Sequence, residues 1–307
     1  MRSTFSNAIV AAARADSRVL LLTGDHGYAL FDSFRSVVPK QFINAGVAEQ
    51  NMVGVAAGLA KAGFRPIVYG LSAFVPIRVL EQIKLDVCYE RLPVVFIGDG
   101  AGVVYSNLGS SHQSTEDIAA LRAVPHINIM SPADEKEMTY VLEHAFHFAG
   151  PVYIRIGKAD LGTIHGHALD QPLGDLIPVL RSGSVSRAII ATGSMVKTAL
   201  TIAEKLAHCS VWSAPSIRPI NRPQIEEIAK YAETLITVEE HQTTGGLGGL
   251  IAEIVAEMES PRARVVRLGV AGRFSERCGS YAYLMREHGL DSQALLAHLA
   301  DEGVVPQ

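Results

Sequence analysis

The alternation of short apolar runs with helical patterns constrains the fold of this chain more than any other feature. Six runs in the first 160 residues are apolar on both faces, which is typical of parallel strands covered by helices on either side. These runs are 18–24, 41–46, 66–71, 93–98, 126–130 and 152–156. Helical patterns lie between them at about 46–62, 75–90, 115–123 and 132–148. The pattern predicts a doubly wound α/β sheet.

The alternation stops at residues 160–183, where glycine, proline and polar residues predominate. This stretch is typical of an inter-domain linker, with room for a hairpin near its end. A second, smaller alternation follows. Its strand-like runs are 187–193, 209–212, 234–239 and 263–269. We therefore predict two doubly wound α/β domains, at 1–160 and 183–307, joined by a linker at 161–182.

Composition narrows the functional classes. The chain has 307 residues, of which 48% are hydrophobic, and a formal charge of −4. This length can bury two cores, and the absence of like-charged blocks argues against nucleic acid or an acidic membrane surface as a partner. No apolar run is long enough to span a bilayer, and the N-terminus lacks the pattern of a signal peptide. Three scattered cysteines without zinc spacing favour a reducing compartment, so we predict a cytoplasmic protein.

Residues 43–70 form the most informative segment, because a strand there runs into a helix of small and apolar residues. Another helix could approach such a helix closely, as at a subunit interface. Glu49 falls in the first turn of this helix. A carboxylate at that position could simply favour the helix dipole, or it could be a semi-buried group that donates or shares a proton. The residues alone leave both interpretations open.

Longer motifs resemble a known family. The segments GVAEQNMVGVAAGLA, YGLSAFVPIRVLEQI and GSSHQSTEDIAALRAVPHINIMSPAD resemble the pyrimidine-binding domain of the transketolase family. The same domain occurs in 1-deoxyxylulose-5-phosphate synthase and in the β subunits of 2-oxoacid dehydrogenases. The segments VEEHQTTGGLGGLIAEI and RFSERCGSY resemble the smaller C-terminal domain of that family. The resemblance covers essentially the whole chain, and several motifs in order are more specific than any one of them.

This resemblance implies thiamine diphosphate as cofactor and a set of residues that bind it. The glutamate matching Glu49 hydrogen-bonds N1′ of the aminopyrimidine and so promotes loss of the thiazolium C2 proton. Phe74 is expected to stack on the aminopyrimidine ring, with Tyr69 and Arg78 on the same strand-to-helix turn. Arg78 could also bind a substrate phosphate or form a surface ion pair. Asp25 follows a strand and could reach the cofactor, or it could belong to a simple turn.

The resemblance also implies residues on the substrate side. His112 matches a histidine that contacts hydroxyls or phosphate of the substrate, and its loop position fits a ligand-facing side chain. Arg155, at the end of a predicted strand, matches an arginine that binds the sugar phosphate. His26 follows another strand and could reach the substrate. Two positions depart from the family, because Gly100 and Leu108 replace polar residues, which favours a modified or deoxy sugar.

Two further motifs require a choice between interpretations. Asp99 in a GDG sequence, with Asn128 downstream, resembles the metal-diphosphate motif of thiamine diphosphate enzymes. Its position inside the pyrimidine-type segment argues against that role, so we predict no metal ligand in this chain. The glycine-rich 243–249 lacks dinucleotide-binding spacing, and a turn with a helix cap is the preferred interpretation. His241 just before it is expected in the core or at an interface.

We therefore predict the C-terminal subunit of a split, thiamine diphosphate-dependent transketolase that moves a two-carbon ketol unit between sugar phosphates. A separate N-terminal subunit would hold the diphosphate and Mg²⁺, in an α₂β₂ assembly whose copies associate through both domains of this chain. Alternatives are the β subunit of a 2-oxoacid decarboxylase or dehydrogenase, and a synthase that condenses a decarboxylated 2-oxoacid with a sugar aldehyde. A non-catalytic scaffold partner is a further alternative, against which the retained Glu49 argues.

Overall fold

A computed structural model describes residues 1–27, 29–158 and 160–304. Its strands are β1 (Val19–Thr23), β2 (Phe42–Asn44), β3 (Arg65–Leu71), β4 (Val95–Asp99), β5 (Asn128–Met130), β6 (Val152–Ile156), β7 (Ile177–Leu180), β8 (Arg187–Ala191), β9 (Cys209–Ser213), β10 (Ser216–Arg218), β11 (Thr234–Gln242) and β12 (Arg264–Val270). Within the described ranges they form a seven-stranded sheet, β10-β5-β6-β4-β3-β1-β2, and a five-stranded sheet, β12-β11-β8-β9-β7. The two sheets confirm the predicted doubly wound α/β fold class.

Helices flank both sheets. They are α1 (Arg2–Ala15), α2 (Asp32–Val37), α3 (Glu49–Lys61), α4 (Leu80–Gln82), α5 (Asp117–Arg122), α6 (Glu135–His147), α7 (Met195–Ala203), α8 (Arg222–Tyr231), α9 (Leu247–Ala256), α10 (Tyr281–Glu287) and α11 (Ser292–Asp301). Near residue 80 a 3₁₀ turn, a short α-helical segment and a π-helical turn at Ile83–Cys88 follow one another. None of the described helices is long and apolar enough to cross a membrane.

The first sheet is buried on both faces, which explains why its strands are apolar throughout. Every residue of β1, β4 and β6 is buried. On one face α1 and α6 contribute Phe5, Ile9 and Leu142 to a common core. On the other face α3 contributes Met52 and Val53 to a second core. Burial of these side chains is the main favourable contribution to this layered arrangement.

Helix α3 has one buried and one open face. Its buried side is apolar, whereas Gly54 and Gly58 face open space, since a Cβ built on either would meet no described atom within 4 Å. Val55 on the same side is exposed. An exposed helix face made of small residues lets a second backbone approach closely, which is consistent with the expected contact between helices of two subunits.

Two short strands depart from the predicted organisation. Strand β7 lies inside the expected linker, where it pairs antiparallel with β9 and not with a neighbouring strand of its own segment. The hairpin expected near the end of the linker is therefore wrong. Strand β10 pairs antiparallel with β5 and so extends the first sheet with residues from the second half of the chain. An antiparallel edge strand of three or four residues carries little periodicity, and its pairing depends on a distant partner.

Candidate active site

A buried carboxylate with an unpaired oxygen lies at the carboxyl edge of the first sheet, where open α/β sheets place ligands. Glu49, the first residue of α3, is only 3% exposed. Its Oε2 accepts a hydrogen bond from Nη1 of Arg78 at 2.9 Å. Its Oε1 is buried and has no hydrogen-bond partner in the described part of the chain, and His26 Nε2 lies 4.0 Å away. A buried oxygen in this state is available to a hydrogen-bond partner from outside the chain.

Aromatic and cationic groups surround this carboxylate. The Arg78 guanidinium lies over the Phe74 ring, with its Cζ 4.0 Å from the ring centroid. The His112 ring meets Phe74 edge-on, with centroids 5.4 Å apart, and the centroid of the His26 ring lies 6.2 Å from that of Phe74. Five predicted site residues from separate segments are thus brought together. We call Glu49, Phe74, Arg78, His26 and His112 the Glu49 cluster.

Local backbone geometry brings the turn after β1 against the start of α3. Ala45 N donates to Thr23 O at 2.8 Å, which joins the two segments just before Glu49. A Cβ on Gly24 would lie 2.8 Å from Gly46 O, so only glycine permits this approach of the two backbones. His26 therefore faces Glu49. Asp25 lies on the same turn with an exposed side chain.

Tyr69 does not belong to this cluster, which corrects its expected place beside the cofactor. It is buried in the opposite core, where it stacks on Phe5 with centroids 6.0 Å apart and meets Phe31 edge-on at 4.8 Å. Its hydroxyl donates to Asp99 Oδ2 at 2.8 Å. Successive residues of a strand point to opposite faces of the sheet, so Tyr69 points away from the face of α3. Burial raises the pKa of Tyr69 well above its ordinary value.

Asp99 has internal partners. Arg2 Nη2 pairs with its Oδ2 at 2.7 Å, and the hydroxyls of Tyr69 and Tyr105 donate to the same oxygen at 2.8 and 3.2 Å. Asn128 contacts His144 through its side-chain amide, at 3.2 Å. Asp99 thus anchors the first helix to the sheet, which gives this carboxylate a structural role in the fold.

The two positions that depart from the family differ in setting. Gly100 has a φ of +74°, and a Cβ there would lie 1.9 Å from Cε2 of Tyr105, so the backbone itself requires glycine. Leu108 is 54% exposed, on the loop that carries His112. A side chain on residue 100 is therefore excluded by packing, whereas Leu108 is free to contact a ligand or another chain.

Arg155 is a structural residue in this fold, which corrects its expected role as a phosphate ligand. Its side chain is 2% exposed, and its Nε donates to Oδ2 of the fully buried Asp117 at 2.9 Å. Its Nη2 donates to the backbone oxygens of Ser114 and Glu240, at 3.2 and 2.7 Å. These bonds direct the guanidinium into the protein, so it does not face a substrate.

Sequence inspection missed the polar layer around Arg155, which we call the Arg155 cluster. Its members are Arg155, Asp117, Glu239, Glu240 and His241, all buried. Burial raises the pKa of Glu239 to about 7 and lowers that of His241 to about 4. His241 Nδ1 donates to Gln242 O, and its Nε2 accepts from Ala119 N. The sequence signal was the EEH run inside an apolar strand, where three polar residues need internal partners.

The glycine-rich turn leads into a helix whose N-terminus is already capped. Backbone amides of Leu247 and Gly248 both donate to the Glu239 carboxylate at 2.8 Å. The chain's own carboxylate thus takes the place that a phosphate occupies in a phosphate-binding loop. This geometry agrees with the interpretation of the segment as a turn with a helix cap.

Comparison with known proteins agrees with the architecture. Residues 1–163 match the family described as the pyrimidine binding domain of transketolase, and residues 179–295 match the transketolase C-terminal domain. A solved structure described as a split gene transketolase, an inactive β4 tetramer, superposes with a TM-score of 0.85 at 30% identity. That match covers 98% of this chain and 96% of the solved one.

Two kinds of curated relatives stand out. One of the subunits of the apulose-4-phosphate transketolase of Actinobacillus succinogenes is 35% identical over 84% of this chain and 83% of its own length. The 1-deoxy-D-xylulose-5-phosphate synthase of Desulforudis audaxviator is 37% identical over 93% of this chain, but over only 45% of its own length. The chain therefore belongs to the transketolase family, in which it corresponds to the pyrimidine-binding and C-terminal domains.

Proposed function

We propose that this chain is the C-terminal subunit of a split transketolase that transfers a two-carbon ketol unit between sugar phosphates with thiamine diphosphate. The observation that carries this proposal is the buried Glu49 carboxyl with one oxygen unpaired, beside an aromatic ring. The similarity to a protein named as one subunit of a transketolase, and to a structure described as a split gene transketolase, supports it.

The residues of the Glu49 cluster fit the pyrimidine half of the cofactor. Glu49 Oε1 is the oxygen left for a ring nitrogen, because Oε2 is taken by Arg78. Phe74 offers a ring for stacking on a flat heterocycle, and aromatic pairs of this kind contribute about 1 kcal/mol beyond burial. When bound, thiamine diphosphate supplies an electron sink that stabilises a carbanion next to its thiazolium ring.

Each residue has a distinct task in this proposal. Glu49 binds the aminopyrimidine ring and holds or shares a proton at its nitrogen. Arg78 fixes the orientation of Glu49 through the 2.9 Å bond, and its half-exposed guanidinium can also meet a substrate phosphate. The rings of His26 and His112 both lie near Phe74, where their nitrogens can bind hydroxyl groups of the sugar. Asp25, on the exposed turn next to His26, completes the proposed cofactor side.

The diphosphate and Mg²⁺ are assigned to a separate subunit, and the cofactor would lie between the two chains. The names of the related transketolase subunits and of the split gene structure support a partner chain. We propose an α₂β₂ assembly in the cytoplasm. The open glycine face of α3 is the proposed contact between two copies of this chain, with the C-terminal domains as a second contact.

The similarity to 1-deoxy-D-xylulose-5-phosphate synthase favours one second candidate, a carboligase that condenses a decarboxylated 2-oxoacid with a sugar aldehyde. Both candidates use the same Glu49 chemistry. They differ in the donor, which is a ketose phosphate in one case and a 2-oxoacid in the other. The relatives named as apulose-4-phosphate transketolase subunits, which align over most of their length, favour ketol transfer.

Calorimetry and a donor assay test the proposal. The chain is titrated with thiamine diphosphate and Mg²⁺, first by itself and then after mixing with a diphosphate-domain subunit of a split transketolase. Tight binding only in the mixture is expected. The mixture is then supplied with an aldose phosphate as acceptor and with either a ketose phosphate or pyruvate as donor. Release of an aldose phosphate supports ketol transfer, CO₂ release supports the carboligase, and no cofactor binding in either sample contradicts both.

A further inference from the structure

His112, which we propose contacts the substrate, lies on a loop whose two ends are hydrogen-bonded to each other. We call this paired base the neck of the loop. We call residues 102–114 the His112 loop. Gly102 N donates to Ser114 O at 2.7 Å, and Ser114 N donates back to Gly102 O at 2.9 Å. Movement of this neck would therefore move the whole loop.

The neck is attached to Glu240 from the second half of the chain. Val103 N donates to Glu240 Oε1 at 2.8 Å. Arg155 Nη2 joins Ser114 O to the backbone oxygen of Glu240. Gly102 has a φ of +72°, and a Cβ there would lie 2.3 Å from Glu240 Oε1. The loop thus touches the carboxylate so closely that only glycine fits between them.

Glu240 lies at the carboxyl end of β11, beside β8, in the second sheet. In the second sheet β9 lies on one side of β8 and β11 lies on the other, so the strand order reverses between β8 and β11. Such a reversal creates a crevice at the carboxyl ends of these two strands. In open α/β sheets such a crevice commonly binds a ligand. Here the base of the His112 loop lies at this position, where Val103 N donates to one oxygen of Glu240 and Ser194 and Tyr281 donate to the other.

The tip of the loop has a second attachment to the same half of the chain. Ser110 Oγ donates to Ser275 O at 3.2 Å, and Ser275 Oγ donates to Gln113 Oε1 at 2.7 Å. The Ser275 hydroxyl also contacts His288 Nε2 at 2.8 Å. Residues on both sides of His112 are therefore held by the C-terminal half.

We propose that Glu240 is a positioning residue, which sets the place of the His112 loop and so of the His112 ring beside Phe74. This inference rests on the proposed substrate role of His112. The Glu240 carboxylate acts through the Val103 amide and through its contact with Gly102, and it touches neither cofactor nor substrate. The C-terminal half thereby contributes to substrate binding without supplying a ligand to the substrate.

Variants of Glu240 test this role, with Glu239→Ala as the matched control. Glu240→Ala removes the acceptor for Val103 N. Glu240→Gln keeps one acceptor oxygen, and its amide can donate to the hydroxyls of Ser194 or Tyr281. Glu239→Ala removes an equally buried carboxylate from the same strand, but one whose hydrogen bonds go to the amides at the start of α9 and whose Oε2 lies 3.7 Å from His241 Nδ1.

Two measurements separate positioning from stability alone. Amide hydrogen exchange of the full chain reports on residues 102–114, and steady-state kinetics of the assembled enzyme gives the KM for the sugar phosphate. In Glu240→Ala we expect exchange in the loop to be about tenfold faster and the KM to rise about tenfold, since a misplaced group loses binding energy. The affinity for thiamine diphosphate should change by less than about twofold, because Glu49 and Phe74 are not moved.

The controls decide between outcomes. Glu240→Gln should restore both readouts, and Glu239→Ala should leave both unchanged. Equal effects of Glu239→Ala and Glu240→Ala, or faster exchange without a change of KM, would overturn the inference. His112→Ala should raise the KM, and Glu240→Ala should add nothing to it. If His112→Ala has no effect, the proposed substrate role of His112 fails; if only Glu240→Ala has none, this inference alone fails.

Discussion

The Glu49 cluster and the Arg155 cluster both gather charged side chains near the carboxyl ends of strands, but they differ in how completely those charges are paired. In the Arg155 cluster the guanidinium and Asp117 are both at most 2% exposed, and the guanidinium binds three groups of the protein. In the Glu49 cluster one buried oxygen has no partner among the described residues, and Arg78 is 43% exposed.

This difference separates structure from function. A buried polar group without a partner costs about 1–3 kcal/mol, so a fold tolerates one where a ligand supplies the missing bond. A fully paired buried cluster has no capacity left for a ligand, although it can fix how elements are joined. Charge and position at a strand end are thus insufficient to mark a site. Compared with the Arg155 cluster, the Glu49 cluster combines an unpaired buried carboxylate oxygen with an aromatic ring and a half-exposed guanidinium.

The largest expected effect is on catalysis, in Glu49→Gln. Gln has the same size, and its oxygen can still accept from Arg78, but the amide cannot hold or release the proton that the reaction needs. We expect the kcat of the assembled enzyme to fall about thousandfold, with the assembly intact by size-exclusion chromatography. Glu143→Gln, at an exposed glutamate of α6, is the matched control and should keep full activity. Full activity in Glu49→Gln would contradict the proposed chemistry.

The next comparison replaces one arginine of each cluster, Arg155 or Arg78, with methionine. Arg155→Met leaves Asp117 buried without its cation, which should lower the free energy of unfolding by about 3–5 kcal/mol. Arg78→Met removes a half-exposed guanidinium, whose charge solvent screens, but leaves the buried Glu49 Oε2 unpaired, so it should cost less, about 1–2 kcal/mol. Urea unfolding of the isolated chain measures both values. The kcat of the assembled enzyme should also fall in Arg78→Met, because Glu49 then lacks the group that orients it. Equal costs in stability would remove the distinction between the clusters.

The Arg155 cluster should also make stability depend on pH through His241. Burial lowers the pKa of His241 from 6.5 to about 4 in the folded chain, so only the unfolded chain binds the proton between these values. The stability that neutral His241 contributes is therefore present above pH 6.5 and is lost as the pH falls towards 4. The expected loss is on the order of 2–3 kcal/mol.

His241→Gln isolates this contribution, because its amide does not titrate. The measurement is the free energy of unfolding of the native chain minus that of the variant, at pH values from 7 to 4. Glu239 also titrates in this range, because its pKa is raised to about 7 and its stabilising contribution falls as the pH rises. This opposite trend occurs in both proteins and is removed by the subtraction. The difference should therefore decrease steadily with acidification. A difference that is independent of pH would contradict a buried neutral His241.

The sequence predicted ten of the strands in the described residues but not the two antiparallel edge strands, β7 and β10. All ten predicted strand runs overlap strands of the structure, since buried parallel strands are apolar along their whole length. Strands β7 and β10 were missed, because a short antiparallel edge strand depends on a distant partner. The pairing of β10 with the first sheet depends on tertiary packing that no local pattern encodes.

The site residues could be predicted where they lie at the ends of predicted strands or at the starts of predicted helices. His26, Glu49, Phe74 and His112 follow strands or begin helices, and the structure brings them together. Arg155 was misassigned because its partner Asp117 is distant in sequence, so the closed ion pair could not be recognised. Residue type indicated a binding group, but burial and pairing decided its role.

The smallest expected effect tests the assignment of the two aromatic residues on and after β3. Phe74→Leu removes the ring that faces Arg78 and His112, and the loss of stacking should weaken thiamine diphosphate binding about fivefold to tenfold. Tyr69→Phe removes only the hydrogen bond to Asp99, which should lower stability by about 1 kcal/mol and leave the affinity unchanged. Titration calorimetry of the assembled enzyme compares them. If Tyr69→Phe weakened the affinity for thiamine diphosphate and Phe74→Leu left it unchanged, the cofactor would lie on the other face of the sheet, because the two side chains lie on opposite faces.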